Sequence, residues 1–221
     1  MVDYITIILT ESALEMLPDE LSNNSKSKIN THTFLDKSYH SHLMDGLDNV
    51  DKRGRPDITH MSSMAITSTP LYLEKKIKFY IHTISDYVLD IELGVRLPKS
   101  YHRFIGLFEK LFLDYSKNDN NDSLIKIQKS SFNKLIDSID PDHVVGLSKH
   151  GNILTSNYVS DKIINSNRPT LLIGGFSHGT FSNNILNSID DLISLGNHNL
   201  ESHTACSRII YEIEKSNINI S

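Results

Sequence analysis

The sequence predicts an α/β protein built on a mostly parallel sheet, with a hairpin-containing elaboration in the middle of the chain. Two observations lead there. Short apolar or β-branched runs alternate with helix-spaced segments, most regularly in the last third of the 221 residues, and strands alternating with helices are the signature of parallel strands joined by crossovers. Between residues 77 and 92, two segments instead alternate apolar and polar residues around Ser85-Asp86, which marks an antiparallel hairpin.

Each element follows from local pattern. Tyr4–Leu9 (YITIIL) reads as the first strand, and Thr10-Glu11-Ser12 as a switch into a helix over Ala13–Leu21. Ile58–Met64 reads as a strand running to a turn at Thr69-Pro70. Ile77–Thr83 and Tyr87–Glu92 form the hairpin, with one face expected in solvent. Ser100 is placed to cap a helix over Tyr101–Leu113, because Phe104, Leu107, Phe108, Leu111 and Phe112 recur at helical spacing. After an Asn/Asp-rich break come Leu124–Gln128, a helix near Phe132–Ile139 and a strand at His143–Leu147. Thr170–Ile173 is a compact strand ending at Gly174-Gly175, and a helix near Ser202–Glu214 follows a polar loop. In such sheets ligands gather where strand C-termini meet loops.

Composition narrows the class. Apolar residues make up 38% of the chain and cluster into runs, which favours a folded protein over a disordered one. The single cysteine, Cys206, excludes an intrachain disulfide and a cysteine-based zinc site and reads as a core residue. The opening MVDYITIILTESAL lacks the basic start and long apolar core of a signal peptide. No apolar run reaches the ~18 residues of a membrane span, so a soluble, cytoplasmic protein is expected. His32, His40 and His42 lie close in sequence but in no HExxH-like pattern, and no metal is expected. The net charge of −5 argues against a generally basic nucleic-acid coat. A local patch remains compatible, since phosphate attraction acts over ~8 Å at physiological salt.

Three stretches carry chemistry. Arg96, Lys99, His102 and Arg103 surround the start of the helix at Tyr101 with no acid among them. Cations at a helix N-terminus oppose its dipole, whereas anions are attracted there; a phosphate site and a solvated basic face both stay open. Lys52-Arg53-Gly54-Arg55 precedes Pro56-Asp57. Pro56 pushes Arg55 toward extended backbone, and Asp57 is spaced to hold its guanidinium in a bidentate pair; the alternative is a surface ion pair worth ~0–1 kcal/mol. Gly174-Gly175-Phe176-Ser177-His178-Gly179 follows a buried strand, where glycines let backbone approach a ligand or simply make a tight turn. It is neither a GxGxxG fingerprint nor a P-loop. The polar loop Leu195–Leu200 has backbone groups suited to an adenine edge and a ribose. His178 and His198 earn no catalytic role from sequence, and Ser177 and Ser182 have no triad arrangement.

Five motifs in order go further: RPDITH at Arg55–His60, FYIHT at Phe79–Thr83, VRLPKSYHRFIGL at Val95–Leu107, VGLSKHG at Val145–Gly151 and IGGFSHG at Ile173–Gly179. Together they resemble the ribosome-biogenesis pseudouridine-N1-methyltransferase family of the SPOUT, or α/β-knot, class. The resemblance runs from near Phe34 to Cys206. It implies one domain over 1–221, with a family-specific elaboration roughly within 50–115, a C-terminal trefoil knot and a homodimer. It also implies S-adenosyl-L-methionine as cofactor, bound by Gly174, Gly179, Leu195, Gly196, Asn197, His198, Asn199 and Leu200. Arg55, Arg96, Lys99 and Arg103 would face small-subunit ribosomal RNA, with Arg55 and Asp57 catalytic: Arg55 stabilises charge on the base and Asp57 orients Arg55. Relatives carry Pro-Leu in the final cofactor loop where this chain has Asn199-Leu200. The implied reaction is methyl transfer to N1 of a pseudouridine. The rival readings are a non-catalytic ribosomal RNA-binding assembly factor and a SPOUT enzyme acting on a ribose 2′-hydroxyl or another base.

Overall fold

Ile5–Ser12 (β1) is buried at all eight positions, the expected state of a central strand in a sheet covered on both faces. In the computed structural model, which describes residues 4–18, 33–117 and 123–216, β1 pairs in parallel with Ile77–Thr83 (β2) and with Pro169–Gly174 (β6). His143–Ile153 (β5) and Asp191–Ser194 (β7) continue the parallel run beyond β6. Tyr87–Ile91 (β3) and Ile125–Lys129 (β4) add antiparallel to the opposite edge. The order is β4-β3-β2-β1-β6-β5-β7.

The helices are Lys37–His40 (α1), Pro56–Thr67 (α2), Pro70–Leu73 (α3), Tyr101–Ser116 (α4), Phe132–Ile139 (α5), Ser156–Ile164 (α6), Asn183–Leu186 (α7) and Ser202–Lys215 (α8). Side chains alternate across a strand, and β1 divides accordingly. Ile5, Ile7 and Leu9 face a core with Phe104 and Phe108 of α4, Val159 of α6 and Ile209 of α8. Ile8 faces the opposite core with Phe132 and Leu135 of α5 and Ile185 of α7. Each such fully buried side chain contributes ~1.5–3 kcal/mol. Among the described residues no helix is long and apolar enough to cross a membrane.

Four expectations change. Residues 13–18 form no helix; β1 runs on to Ser12 and the chain leaves it extended, while 19–21 lie outside the described residues. Ile58–Met64 is not a strand but the body of α2, begun by Pro56 at its first turn, where a missing N–H costs nothing. The hairpin has no solvated face along β2, because β2 sits inside the sheet and is covered on both sides. Ser100 is the N-cap of α4, yet its side chain makes no capping bond. His32 lies outside the described residues, as do 118–122 of the Asn/Asp-rich break.

Candidate active site

The C-terminal ends of β6 and β7 and the middle of β5 converge on one cleft. The ladder between β5 and β7 shifts between Leu147 and Asn152, and the displaced Ser148 and Lys149 line the cleft instead. One wall is the loop after β6, from Gly174 to Phe181; the other is the loop after β7 and the start of α8. Leu147, Ile173, Ile193 and Ala205 form an apolar floor.

Gly175 makes this cleft possible. Its N–H donates to the Thr10 carbonyl (2.8 Å) and its carbonyl accepts from Ala13 (3.0 Å), so the loop is stitched to the end of β1. A Cβ there would lie 2.2 Å from Ser12 Oγ. Gly179, at φ +105°, turns the loop outward in a conformation that suits glycine.

Of the residues expected to hold the cofactor, Gly174, Gly179, Leu195, His198, Asn199 and Leu200 line the cleft. Gly196 and Asn197 do not: the Gly196 carbonyl accepts from Ser194 Oγ (2.8 Å), which shapes the turn, and Asn197 is exposed. An apolar floor framed by loop backbone, Ser148, Ser177, Ser202 and Glu201 fits a flat adenine with polar groups attached. The cleft is half open, with a volume of about 120 Å³, and His178–Gly179–Thr180 form its exposed wall.

Arg55 sits at the N-cap of α2. Its Nε donates to Asp57 Oδ1 and its Nη2 to Oδ2, both at 2.8 Å. Burial alone would raise the Asp57 carboxyl, but the Arg55 hydrogen bonds and charge outweigh it and hold it below the usual range. The Arg55 guanidinium is held charged by that bond first, then by the nearby charges of Glu201 and Asp36. Glu201 lines the cleft; Arg55 and Asp57 do not, and line a separate cavity instead. Asp57 is a poor proton acceptor in this state and a good orienter. Arg96, Lys99 and Arg103 are all exposed around the start of α4, and none pairs with an acid among the described residues.

Sequence reading missed two buried ion pairs. Lys52 Nζ meets Glu11 Oε2 at 2.9 Å and also lies 4.7 Å above the Phe176 ring. Glu11 Oε2 accepts from the Ser182 backbone as well (3.3 Å), and Ser177 Oγ donates to the Asp51 carbonyl (2.8 Å). The segment carrying Arg55 is thereby tied to the cleft loop. Glu11 adopts φ +49°, a strained conformation for a non-glycine. Arg53 makes a bidentate pair with Glu15. A carboxylate at the end of an apolar strand, where ligands gather, was the available signal. Among the described residues no cluster of His, Cys, Asp and Glu could hold a metal ion. Cys206 is fully buried, its thiol pushed up to about 12 by burial.

The fold matches the crystal structure of Archaeoglobus fulgidus Nep1 bound to S-adenosylhomocysteine, with a TM-score of 0.78 and 25% identity over 97% of this chain and 98% of that one. Sheet and cleft together define an S-adenosylmethionine-dependent methyltransferase with a SPOUT-class fold. Residues 7–214 match the profile of one family, and the chain belongs to it: the EMG1/NEP1 methyltransferases. Curated relatives include the ribosomal RNA small subunit methyltransferases Nep1 of Staphylothermus marinus and Sulfurisphaera tokodaii. The first is 32% identical over 97% of this chain and 96% of its own length. The second is 35% identical over 93% and 94%.

Proposed function

We propose that this enzyme methylates N1 of a pseudouridine in small-subunit ribosomal RNA during ribosome assembly, acting in the cytoplasm as a homodimer. In this reading the chain is a single domain elaborated within 50–115, and its C-terminal third is threaded as a trefoil knot. The names of its curated relatives support the RNA substrate. Exposed Ile153, Tyr158 and Tyr211 in the C-terminal third supply apolar surface for a dimer to cover.

The observation that carries the reading is the fixed guanidinium on a segment tied to the cleft loop. N1 of a pseudouridine bears a proton that must leave, and negative charge then spreads to the adjacent carbonyls. Asp57 occupies Nε and one N–H of Nη2, leaving Nη1 to donate to that charge without reorganising. S-adenosylmethionine, when bound, supplies the electrophilic methyl group. The chain's part is to hold the base in line with it, with Arg96, Lys99 and Arg103 anchoring flanking phosphates. The target base leaves its stack to reach the cleft.

The test uses paired transcripts bearing uridine or pseudouridine at one loop position, with nucleoside mass analysis of the products. N1-methylpseudouridine only from the second transcript is expected; equal methylation of both overturns N1 specificity.

A further inference from the structure

Between α1 and the N-terminus of α4 lies a second, open cavity of about 630 Å³, outside the cofactor cleft. Arg55 and Asp57 form its inner wall, Tyr39 and His102 its rim. Tyr39 is 68% exposed, and α1 has no buried residue, so packing does not explain an aromatic ring there. The turn that carries it is nonetheless rigid. Asp36 Oδ1 accepts from Ser38 N–H (2.9 Å), Asp36 N–H donates to His40 Nδ1 (3.0 Å), and Lys37 N–H donates to the Gly54 carbonyl (2.8 Å). Asp36 Oδ2 accepts from Tyr101 Oη (2.8 Å), tying the turn to α4.

Building on the RNA methyltransferase reading, we infer that this cavity is a nucleobase subsite in which Tyr39 stacks the base next to the methylated one. Three features point to RNA rather than protein. Both acids in the wall are already engaged, Asp57 by Arg55 and Asp36 by Tyr101. Asp36 keeps its charge, matched in number by Lys37 on the same wall, and the surplus is cationic, from Arg96, Lys99 and Arg103 around the start of α4. An exposed aromatic ring on a fixed turn, near cations that pair with no acid among the described residues, is an arrangement that binds single strands, since every base has a stacking face and every nucleotide a phosphate. Arg55 lines this cavity and is the residue assigned above to the methylated base, so a base at Arg55 leaves its neighbour within the same cavity.

The experiment uses a short single-stranded RNA with one central pseudouridine and 2-aminopurine on its 5′ or its 3′ side. Stacking on tyrosine quenches that fluorophore. Wild type is expected to quench one of the two probes, and Tyr39→Phe to keep the quench. Tyr39→Ala should lose it and bind the RNA about 5- to 150-fold more weakly, as for one lost base–aromatic stack. Its S-adenosylhomocysteine affinity should not change. Unchanged RNA affinity and quench in Tyr39→Ala overturn the inference, as does a Tyr39→Ala whose only defect is loss of self-association. A wild type that quenches the probe but transfers no methyl group leaves this subsite standing and refutes the proposed function instead.

Discussion

Arg55 and Asp57 are joined by two parallel hydrogen bonds of 2.8 Å, so the guanidinium plane is set by a residue only two positions along the chain. A lysine cannot reproduce that fork. Arg55→Lys and Arg55→Ala should therefore both lower turnover, by about 10²–10³-fold for the alanine if Arg55 stabilises charge in the transition state. Affinity for S-adenosylhomocysteine, measured by calorimetry, should stay near wild type. Asp57→Asn keeps the shape but loses the charge and should fall between. Normal turnover in Arg55→Ala would show that the guanidinium binds RNA and does no more.

Lys52 and Glu11 have side chains 12% and 11% exposed, which makes theirs a buried pair. Removing one partner of such a pair strands the other charge and typically costs ~3–5 kcal/mol. Lys52→Met should destabilise the protein by roughly that amount in urea unfolding. It should also weaken cofactor binding, because Glu11 helps hold the loop at Ser182. Lys52→Met combined with Glu11→Leu should recover much of the stability and little of the binding.

His82 is 3% exposed, and its Nδ1 accepts from the Glu11 N–H (3.4 Å). Its Nε2 therefore carries the proton and donates to Asp86 Oδ1 (3.1 Å). Burial lowers its pKa and outweighs the opposing pull of Asp86. The unfolded chain thus takes up this proton first. The stability is complete above the ordinary value of 6.5 and is lost as pH falls from there through the folded value. His40 shifts the same way, also by burial. Melting temperature should fall between about pH 7 and 5, and His82→Gln should flatten the slope to the share left by His40. An identical slope in the variant would place the proton uptake elsewhere.

Ser62 is completely buried in α2, and its hydroxyl has no partner among the described residues. An unmet buried polar group costs ~1–3 kcal/mol, and alanine is the better helix former. Ser62→Ala should raise stability by about 1 kcal/mol in urea titration. A loss of stability would mean that the hydroxyl is bonded in solution.

The polar buried face of α2 explains one place where sequence reading failed. Strand β6 was legible as a compact apolar run, and helices α4 and α8 because their apolar residues repeat at helical spacing. Helix α2 was not: its buried face includes Thr59, Ser62 and Ser63, polar residues that hide a helical period. The cleft loops were visible as glycines after a strand. The Lys52–Glu11 tie was invisible, because 41 residues separate its partners and only the tertiary fold brings them together. The Tyr39 subsite depends likewise on Asp36 meeting Tyr101 across 65 residues.

The cations at the start of α4 work against the helix they sit on. Its first turn contains no acid, Arg103 lies within it, and Lys99 just precedes it. Cations there are disfavoured by ~0.3–1 kcal/mol at an exposed site, so a protein selected for stability alone gains by losing them. If they bind phosphates, replacement should separate two readouts. Arg103→Gln should melt slightly higher than wild type while binding RNA more weakly. The dependence of log affinity on log salt should become shallower by ~0.7 for each lost single-strand phosphate contact. Doing the same at Arg96 and Lys99 should add further steps, since all three are exposed and unpaired among the described residues. A variant with a higher melting temperature and an unchanged salt slope would mark these cations as an ordinary solvated face.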